Sequence, residues 1–236
     1  MLALLIRLES PLMAFGREAI DQNGPTRAHP DASMLTGLLA NALGYDRTEA
    51  ERHQRLQDRM TFAVRLDRPG SELRDFQTAQ LAKADTGWTT HGVPEGRRGG
   101  GGTYESPHIR YRHYLADASL VVSIALSDAD EAPTVDEVAD ALRQPARPIF
   151  IGRKPCVPSA PLLIGVVEAP TLLASFDQAP LAQAASSFRF VLPEHEAEGL
   201  DRVEVVRLTG HRDWVAGIHS GQQRRAIVSI PAKVSP

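Results

Sequence analysis

The order of apolar segments along the first two thirds of the chain constrains its fold more than any other feature. Residues 2–9 cluster apolar groups as a buried strand does. Residues 33–44 place apolar side chains at helical spacing, with Asp31 or Ser33 as the N-cap and Gly44 in the left-handed position after the last turn. The further predicted elements are strands at 60–66 and 149–151, a strand-rich segment at 111–126 with LVVSIAL as its buried half, an exposed helix at 49–57, and a helix from Thr134 to Arg143 that Pro145 and Pro148 end.

This order (β, α, β, a long excursion, then β, α, β) predicts an α+β fold. It is compatible with a ferredoxin-like (RRM-like) βαββαβ domain, in which helices cover one face of an antiparallel sheet. Periodicity is absent between residues 67 and 110, which include GRRGGGG at 96–102 and so predict an arm inserted between the second and third strands. We assign this domain to residues 1–160. A smaller β-rich region packed on it is predicted at 161–236, with strand-like pieces at 162–167, 188–192, 203–208, 214–218 and 226–230.

Composition excludes several classes of protein. The chain has 236 residues, 42% of them hydrophobic, and a formal net charge of −3, which excludes a mainly disordered chain. Its one cysteine, Cys156, excludes an internal disulfide framework and disfavours a thiolate zinc site. No apolar run approaches the roughly 20 residues of a membrane helix, and the opening residues resemble a strand more than a signal peptide. We expect a soluble, cytoplasmic protein with no membrane partner.

Charge is distributed unevenly along the sequence. Residues 128–140 hold six acids and no base, whereas the segments 97–114, 147–154 and 202–225 each carry a local charge of +3. Such separation favours a molecule with one face that attracts nucleic acid. The alternative, a set of solvated surface charges, stays open, because residues that cluster in sequence need not cluster in space.

A helix start and a glycine-containing loop are candidate phosphate contacts. The helix that begins near Ser33 opens with backbone N–H groups, which favour an anion. The loop FIGRKP places a glycine where backbone can approach a ligand closely, with two cations directly after it. Together with the cation upstream of the helix, the candidates are Arg27, Ser33, Met34, Gly152, Arg153 and Lys154.

The segment RYRHY interleaves cations with aromatic rings. On a strand, Arg110, Arg112 and Tyr114 would share one face, and Tyr111 and His113 the other. Cations and aromatic rings on one face can hold single-stranded RNA by neutralising its backbone and stacking on its bases. Equally, the aromatic rings could belong to the core while the arginines reach water.

Catalytic motifs are weak. The histidines lack the spacing of a metal site, so we predict no metal and no cofactor. Cys156, with Arg153 and Lys154 nearby, has the setting of a thiolate, although a buried structural cysteine is the commoner case. Metal-free RNA cleavage needs a base, an acid and a cation. Residues of those types are Tyr104, His108, Tyr111, His113, Tyr114 and Lys154.

Four motifs in order resemble the CRISPR-associated CasD family, within the RAMP superfamily. The first is the opening strand with PLMAFG and PTRAHPDASMLTGLLANALG, and the second is LRDFQTAQ. The third is YRHYLADASLVVSIAL and the fourth RPIFIGRKPCVPSAPL. The resemblance covers about residues 1–167, with a looser echo at HRDWVAGIHSG (211–221).

The resemblance implies a non-catalytic subunit of the type I-E Cascade surveillance complex that binds the 5′ handle of the CRISPR guide RNA. It also implies that the arm, at about 74–111, is a thumb that kinks the RNA and contacts the adjacent backbone subunit. The other implied partners are the large target-recognition subunit and, indirectly, target DNA in antiviral defence. The alternative is a metal-independent endoribonuclease that processes the repeat RNA, as in the type I-C branch, whose Tyr, Lys and His group we cannot place here. The glycine run in the arm departs from the family pattern.

Overall fold

A computed structural model describes residues 1–19, 21–80, 107–219 and 221–232. The helices are α1 (Ala32–Leu43), α2 (Ala50–Arg59), α3 (Val135–Arg143) and the short α4 (Leu172–Ser175). The strands of the first half are β1 (Leu2–Glu9), β2 (Leu12–Met13), β3 (Asn23–Gly24), β4 (Met60–Arg68), β5 (Ser71–Ala79), β6 (His108–Ala116) and β7 (Ser119–Leu126). Those of the second half are β8 (Leu163–Glu168), β9 (Ser187–Pro193), β10 (Glu204–Leu208), β11 (Arg212–Asp213), β12 (Ile218–His219) and β13 (Gln223–Pro231). No helix in the described ranges is both long and apolar enough to cross a membrane.

Seven strands form one antiparallel sheet in the order β10-β13-β9-β4-β7-β1-β8. Alternate residues of β1 enter two different cores, as the period of two in a strand requires. Leu4 and Ile6 pack with side chains of α1, α2 and α3, whereas Leu5 packs with Leu172 and Phe176. The α+β prediction is therefore confirmed: helices α1–α3 cover one face of a large antiparallel sheet, and α4 with the segment after it contributes to the core on the other.

β5 and β6 form a separate ribbon, paired from Ser71 opposite Ala116 to Ala79 opposite His108. The short strands β2 and β3 also pair with β6. Eight of the nine residues of β5 are exposed, so burial imposes no alternation on its sequence. This explains why no strand is predicted there. The ribbon is the described part of the predicted arm, and the GRRGGGG run lies outside the described residues.

The caps of α1 and α3 follow from their sequences. The Asp31 side chain accepts a hydrogen bond from the Met34 backbone N–H and is the N-cap of α1, and Gly44 ends that helix with φ +82°. Thr134 and Glu137 form a capping box at the start of α3. α2 differs from its prediction as an exposed helix, because it buries His53, Leu56, Gln57 and Arg59.

Two predicted strands are wrong. Residues 149–151 lie in a loop, and the strand that follows α3 is β8. Prolines 145, 148, 155 and 158 surround that loop and cannot donate to a ladder of hydrogen bonds, which disfavours a strand there. The predicted strand at 214–218 is mainly the turn of the β11–β12 hairpin.

Candidate nucleic-acid interface

A cavity of about 550 Å³ opens between α1, the loop after α3 and the β11–β12 hairpin. We name it the arginine groove, after three cationic residues among the described part of its lining, Arg47, Arg153 and Arg212. Phe150 and Trp214 bring aromatic rings to the same lining. None of the described residues that line the groove is acidic. Its charge therefore favours an anion, and its rings provide a surface for stacking.

Of the residues predicted to bind RNA, Ser33, Met34, Gly152 and Arg153 line this groove. The helix start and the FIGRKP loop are far apart in sequence, and the fold brings them together. Two hydrogen bonds hold the segment after α3 against α1: Asn41 Nδ2–H donates to the Pro148 carbonyl, and the Ala146 N–H donates to the Ala42 carbonyl, both at 2.9 Å. The two candidate phosphate contacts are thus parts of one surface.

Position 152 requires glycine because the backbone of Ala14 lies directly against it. The φ of Gly152 is +87°, and a Cβ atom at this position would lie 1.6 Å from the Ala14 carbonyl oxygen. The close approach predicted for this glycine therefore exists, but its partner in the structure is backbone rather than a ligand. Gly152 shapes the groove by letting the loop turn against the Ala14 segment.

Arg153 is held rigidly at the rim of the groove. Its guanidinium donates to the carbonyls of His113 and Gly24, both at 2.9 Å, and lies 4.7 Å from the centre of the Tyr114 ring. Tyr114 itself is only 3% exposed. It therefore belongs to the core and supports Arg153 from beneath, which is the second of the two interpretations that its sequence left open.

Arg112 lies beside Arg153. A Cβ atom on Gly24 would be 3.3 Å from Nη1 of Arg112 and 3.3 Å from Nη2 of Arg153. Arg112 forms no ion pair with any residue that the structure describes, and its register partner Asp75 accepts a hydrogen bond from Gln77. Two neighbouring guanidinium groups without a carboxylate between them repel each other and attract an anion.

Sequence reasoning missed Arg47, Arg212 and Trp214. The Trp214 ring stacks on His53 with a centroid distance of 4.8 Å, and its Nε1–H donates to Gln57 at 3.2 Å. The Arg212 guanidinium lies 5.0 Å from the centre of the Trp214 ring. The available sequence signal was the looser motif match HRDWVAGIHSG (211–221), which contains Arg212 and Trp214. Arg47 carries no motif, and only the fold places it in the groove.

The start of α1 differs from its prediction as an anion site. The Met34 N–H donates to Asp31 Oδ1 at 2.8 Å, and the Ser33 N–H donates to the Gly210 carbonyl at 3.0 Å. The Ser33 hydroxyl also donates to Asp31, at 2.9 Å. These N–H groups are therefore already satisfied within the chain, and Ser33 and Met34 contribute to the groove as wall residues.

The remaining predicted residues lie elsewhere. Arg27 lines a different cavity, described below. Arg110 is on the exposed part of β6, on the same face as Arg112 and Tyr114, as predicted from strand alternation. Lys154 is exposed directly after Arg153 and forms no ion pair among the residues described.

The residues of the alternative, catalytic hypothesis do not converge on the groove. His113 Nδ1 is hydrogen-bonded to Glu72 on the ribbon face opposite Arg112. Tyr111, on that same face, lies between Phe76 and Arg74. Tyr104 is outside the described residues.

Two further chemical hypotheses gain no support. Cys156 is buried, and burial raises the pKa of its thiol, which disfavours a nucleophilic thiolate. Within the described ranges, no group of three or more His, Cys, Asp or Glu side chains could hold a metal ion.

The fold and the cationic groove define a mixed α+β protein with a surface suited to nucleic acid, and sequence comparison gives its family. The sequence model of the family described as CRISPR-associated protein (Cas_Cas5) matches residues 3–225. The chain therefore belongs to this family. The resemblance carried by its four motifs is confirmed.

Individual relatives agree with this assignment. The chain is 29% identical over 175 residues to the CRISPR system Cascade subunit CasD of Escherichia coli (strain K12), covering 70% of this chain and 71% of that protein. A chain of a solved CRISPR RNA-guided surveillance complex superimposes with a TM-score of 0.66 and 26% identity, over 97% of this chain and 89% of that one. A crystal structure of a Cas protein, at 22% identity and a TM-score of 0.58, covers 97% of this chain and 94% of the other and shares the fold.

Proposed function

We propose that this protein is a non-catalytic subunit of a CRISPR Cascade surveillance complex, that it binds the 5′ handle of the guide RNA, and that it caps the backbone of the complex in support of antiviral DNA targeting. The observation that carries the proposal is the arginine groove, in a chain whose relatives include CasD and a chain of an RNA-guided surveillance complex. The partners in this proposal are the guide RNA, the adjacent backbone subunit and the large target-recognition subunit, with target DNA contacted indirectly.

The chemistry of the groove suits single-stranded RNA. Such RNA is held by cations that follow its phosphates and by aromatic side chains on which splayed bases stack. Arg47 and Arg212 supply charge, and Trp214 supplies the largest ring in the lining. Because Trp214 is fixed by His53 and Gln57, its ring is already ordered before RNA binds. Arg153 and Arg112 extend the positive surface onto the ribbon.

Absence of catalysis is part of the proposal. A ribonuclease that works without metal needs a base and an acid placed on either side of one phosphate. The described candidates His113 and Tyr111 lie on the ribbon face opposite Arg112, and His113 is paired with Glu72. His108 and Tyr114 share the face of Arg112, but His108 is at the far end of β6, Tyr114 is buried, and neither lines the arginine groove. The described lining of the groove therefore lacks their imidazole and phenol groups, which favours holding the RNA over cutting it. A repeat endoribonuclease is the alternative that the experiment below tests.

We also propose that β1, β4, β7 and β8 form a ferredoxin-like unit. Their order in the sheet is β4-β7-β1-β8, all antiparallel, with α1 and α2 between β1 and β4 and α3 between β7 and β8. This is the order expected of two βαβ halves placed side by side. β8 begins three residues beyond the predicted boundary at 160, and β9, β13 and β10 continue the same sheet. The division into 1–160 and 161–236 stays a prediction.

A binding assay with repeat RNA tests the proposed function. The full chain, alone and co-expressed with the other subunits, is mixed with labelled CRISPR repeat RNA and with a scrambled RNA of equal length, in EDTA. We expect selective retention of the repeat RNA without any cut. Equal binding of the scrambled RNA by both preparations would indicate a general single-stranded RNA binder instead. A discrete cut made by the chain alone, and tolerant of EDTA, would establish the endoribonuclease.

The ribbon is our candidate contact with the adjacent backbone subunit. Phe76 is 56% exposed and Ile109 is 37% exposed, and both lie on the face that carries Tyr111. Large apolar side chains left in water on one face are typical of a protein interface. We expect Phe76→Ser combined with Ile109→Ser to reduce co-purification with the backbone subunit at least about tenfold, since hot-spot residues each contribute about 2 kcal/mol.

The unfolding temperature of this ribbon variant is the control. Because both side chains are exposed in the isolated chain, that temperature should stay within about 2 °C of the wild type. Val215→Ser combined with Ile218→Ser, which removes exposed apolar groups from the β11–β12 hairpin, is the matched substitution. An equal loss of assembly in both variants would argue against the ribbon as the specific contact.

A further inference from the structure

A second cavity, of about 390 Å³, lies between the segment 17–29 and strands β4, β9, β10 and β13. Its lining includes four arginines and one carboxylate, which are Arg17, Glu18, Arg27, Arg189 and Arg207. We name it the Arg27 cavity. Gly16 lines the arginine groove while the next two residues line this cavity, so the two sites are neighbours along the chain.

Arg27 is the unusual group in this cavity. Its side chain is only 9% exposed, and one nitrogen, Nη2, donates to Glu18 at 2.8 Å and to the Thr209 carbonyl at 3.1 Å. Its Nε and Nη1 are buried and have no hydrogen-bond partner among the residues that the structure describes. Buried N–H groups of a cation that lack an acceptor are rare in folded proteins, because desolvation without compensation is costly. The guanidinium therefore has unused capacity for an acceptor.

Among the described residues that line the cavity, Glu18 is the only acidic one, and it is held loosely. Its side chain is 56% exposed, and it contacts Arg27 at 2.8 Å and Arg17 at 3.7 Å. A hydrogen bond from its own backbone and, to a smaller degree, the charge of Arg27 lower the pKa of Glu18, so it is ionised at pH 7. One carboxylate thus stands against four guanidinium groups, and it can move to water at little cost.

The other titratable group in the lining adds no charge. His29 is buried, and burial, assisted by the charge of Arg27, lowers its pKa. Its Nδ1 lies 3.0 Å from the Pro30 carbonyl. The imidazole is therefore neutral at pH 7, and the arginines and Glu18 set the charge of the cavity.

We propose that the Arg27 cavity binds a phosphate group, which replaces the Glu18 carboxylate on the Arg27 guanidinium. A phosphate presents more acceptor oxygens than a carboxylate, and the planar guanidinium matches it through paired donors. The donor of the phosphate is either the RNA backbone or a free phosphate ion. Only the first source rests on the proposed function, in which the RNA would extend past the arginine groove.

Thermal unfolding in phosphate tests the cavity without RNA. The full chain is heated in sodium phosphate and in sodium chloride of equal ionic strength. At a phosphate concentration about tenfold above Kd, we expect the wild-type unfolding temperature to rise by about 3–5 °C. Arg27→Gln and Arg189→Gln should lose most of this rise, whereas Glu18→Gln should bind phosphate about fivefold more tightly because the competing carboxylate is gone.

Matched variants separate the cavity from general effects of phosphate. Arg143→Gln and Glu198→Gln make the same changes of charge at exposed positions elsewhere and should behave as the wild type. Arg189 is exposed, so Arg189→Gln keeps the test valid if Arg27→Gln does not fold. An equal phosphate effect in the wild type, Arg189→Gln and Glu18→Gln would overturn the inference.

Binding of the repeat RNA then identifies the source of the phosphate. If RNA supplies it, Glu18→Gln should tighten RNA binding and Arg189→Gln should weaken it, relative to the two control variants. If phosphate binds but no variant changes RNA affinity, the ligand is a free phosphate. If phosphate binds and the wild-type chain never selects repeat RNA, the proposed function fails while the cavity survives as a phosphate site.

Discussion

Replacing Gly152 with alanine is expected to destabilise the protein by about 3–5 kcal/mol, lowering its unfolding temperature by roughly 10 °C. The reason is twofold. A φ of +87° is unfavourable for any residue with a Cβ, and here that atom would lie 1.6 Å from the Ala14 carbonyl oxygen. Since the backbone fixes the position of Cβ and its partner is a backbone oxygen, no rotamer change relieves the contact. The loop must move away from Ala14, which pulls the fully buried Ile151 from the core.

The same change should also weaken RNA binding, because Arg153 follows Gly152 directly and lines the same groove. Urea unfolding of the purified variant measures the stability, and filter binding below its unfolding temperature measures RNA affinity. Gly165→Ala is the matched control, because a Cβ atom on Gly165 would meet no atom of another segment within 4 Å and its φ lies outside the left-handed region. A Gly152→Ala protein as stable as Gly165→Ala would contradict the packing described for this loop.

Removing two cations from the arginine groove is the change with the largest expected effect on binding. For Arg47→Gln combined with Arg212→Gln, we expect affinity for the repeat RNA to fall about 100-fold, since a charge-assisted hydrogen bond contributes about 1.5 kcal/mol or more. We also expect the salt dependence of binding to become shallower. On single-stranded RNA, two lost phosphate contacts should reduce the slope of log K against log salt by about 1.4.

The salt dependence of RNA affinity distinguishes direct contacts with phosphates from long-range electrostatic attraction. Arg143→Gln combined with Arg55→Gln removes the same charge from exposed positions, where Arg143 pairs with Asp140 and Arg55 pairs with Asp128 and Glu131. That control should change RNA affinity less than about threefold, because these arginines line neither the arginine groove nor the Arg27 cavity and exposed charges are screened by salt. If both double variants lost affinity and slope equally, the groove would not be the RNA site.

Local sequence signals predicted most helices and strands correctly. They failed where a segment is exposed and burial therefore imposes no pattern of apolar residues. The helices at Ala32–Leu43 and Val135–Arg143 begin at Asp31 and Thr134, because a cap is a property of adjacent residues. The strand at Ser71–Ala79 was missed because both of its faces are largely exposed, so its sequence does not alternate between apolar and polar residues. Residues 149–151 look like a strand because they are apolar, but the surrounding prolines favour a loop whose core contact is Ile151.

The candidate site was predicted only in part, for the same reason. Arg153 and Gly152 were found because a glycine followed by cations is visible in sequence. That Gly152 turns against Ala14 rather than a ligand, and that Tyr114 lies beneath Arg153, depends on which segments become neighbours. Arg47 belongs to no motif and Arg212 only to the looser match at 211–221, and the two line one groove because Trp214 packs against α2.

By itself, then, the sequence determined the α+β class, the caps and, through four ordered motifs, the family. These properties depend on composition, on periods of two and 3.6 residues, and on short-range spacing, all of which are present in a linear chain. The tertiary structure alone decided which cations share a surface and which N–H groups are free. At the start of α1 the backbone donors that the sequence offers to an anion are taken by Asp31 and by Gly210, a residue from the far end of the chain. A contact between residues so far apart in sequence depends on how the sheet and helices pack, and local sequence patterns therefore do not predict it.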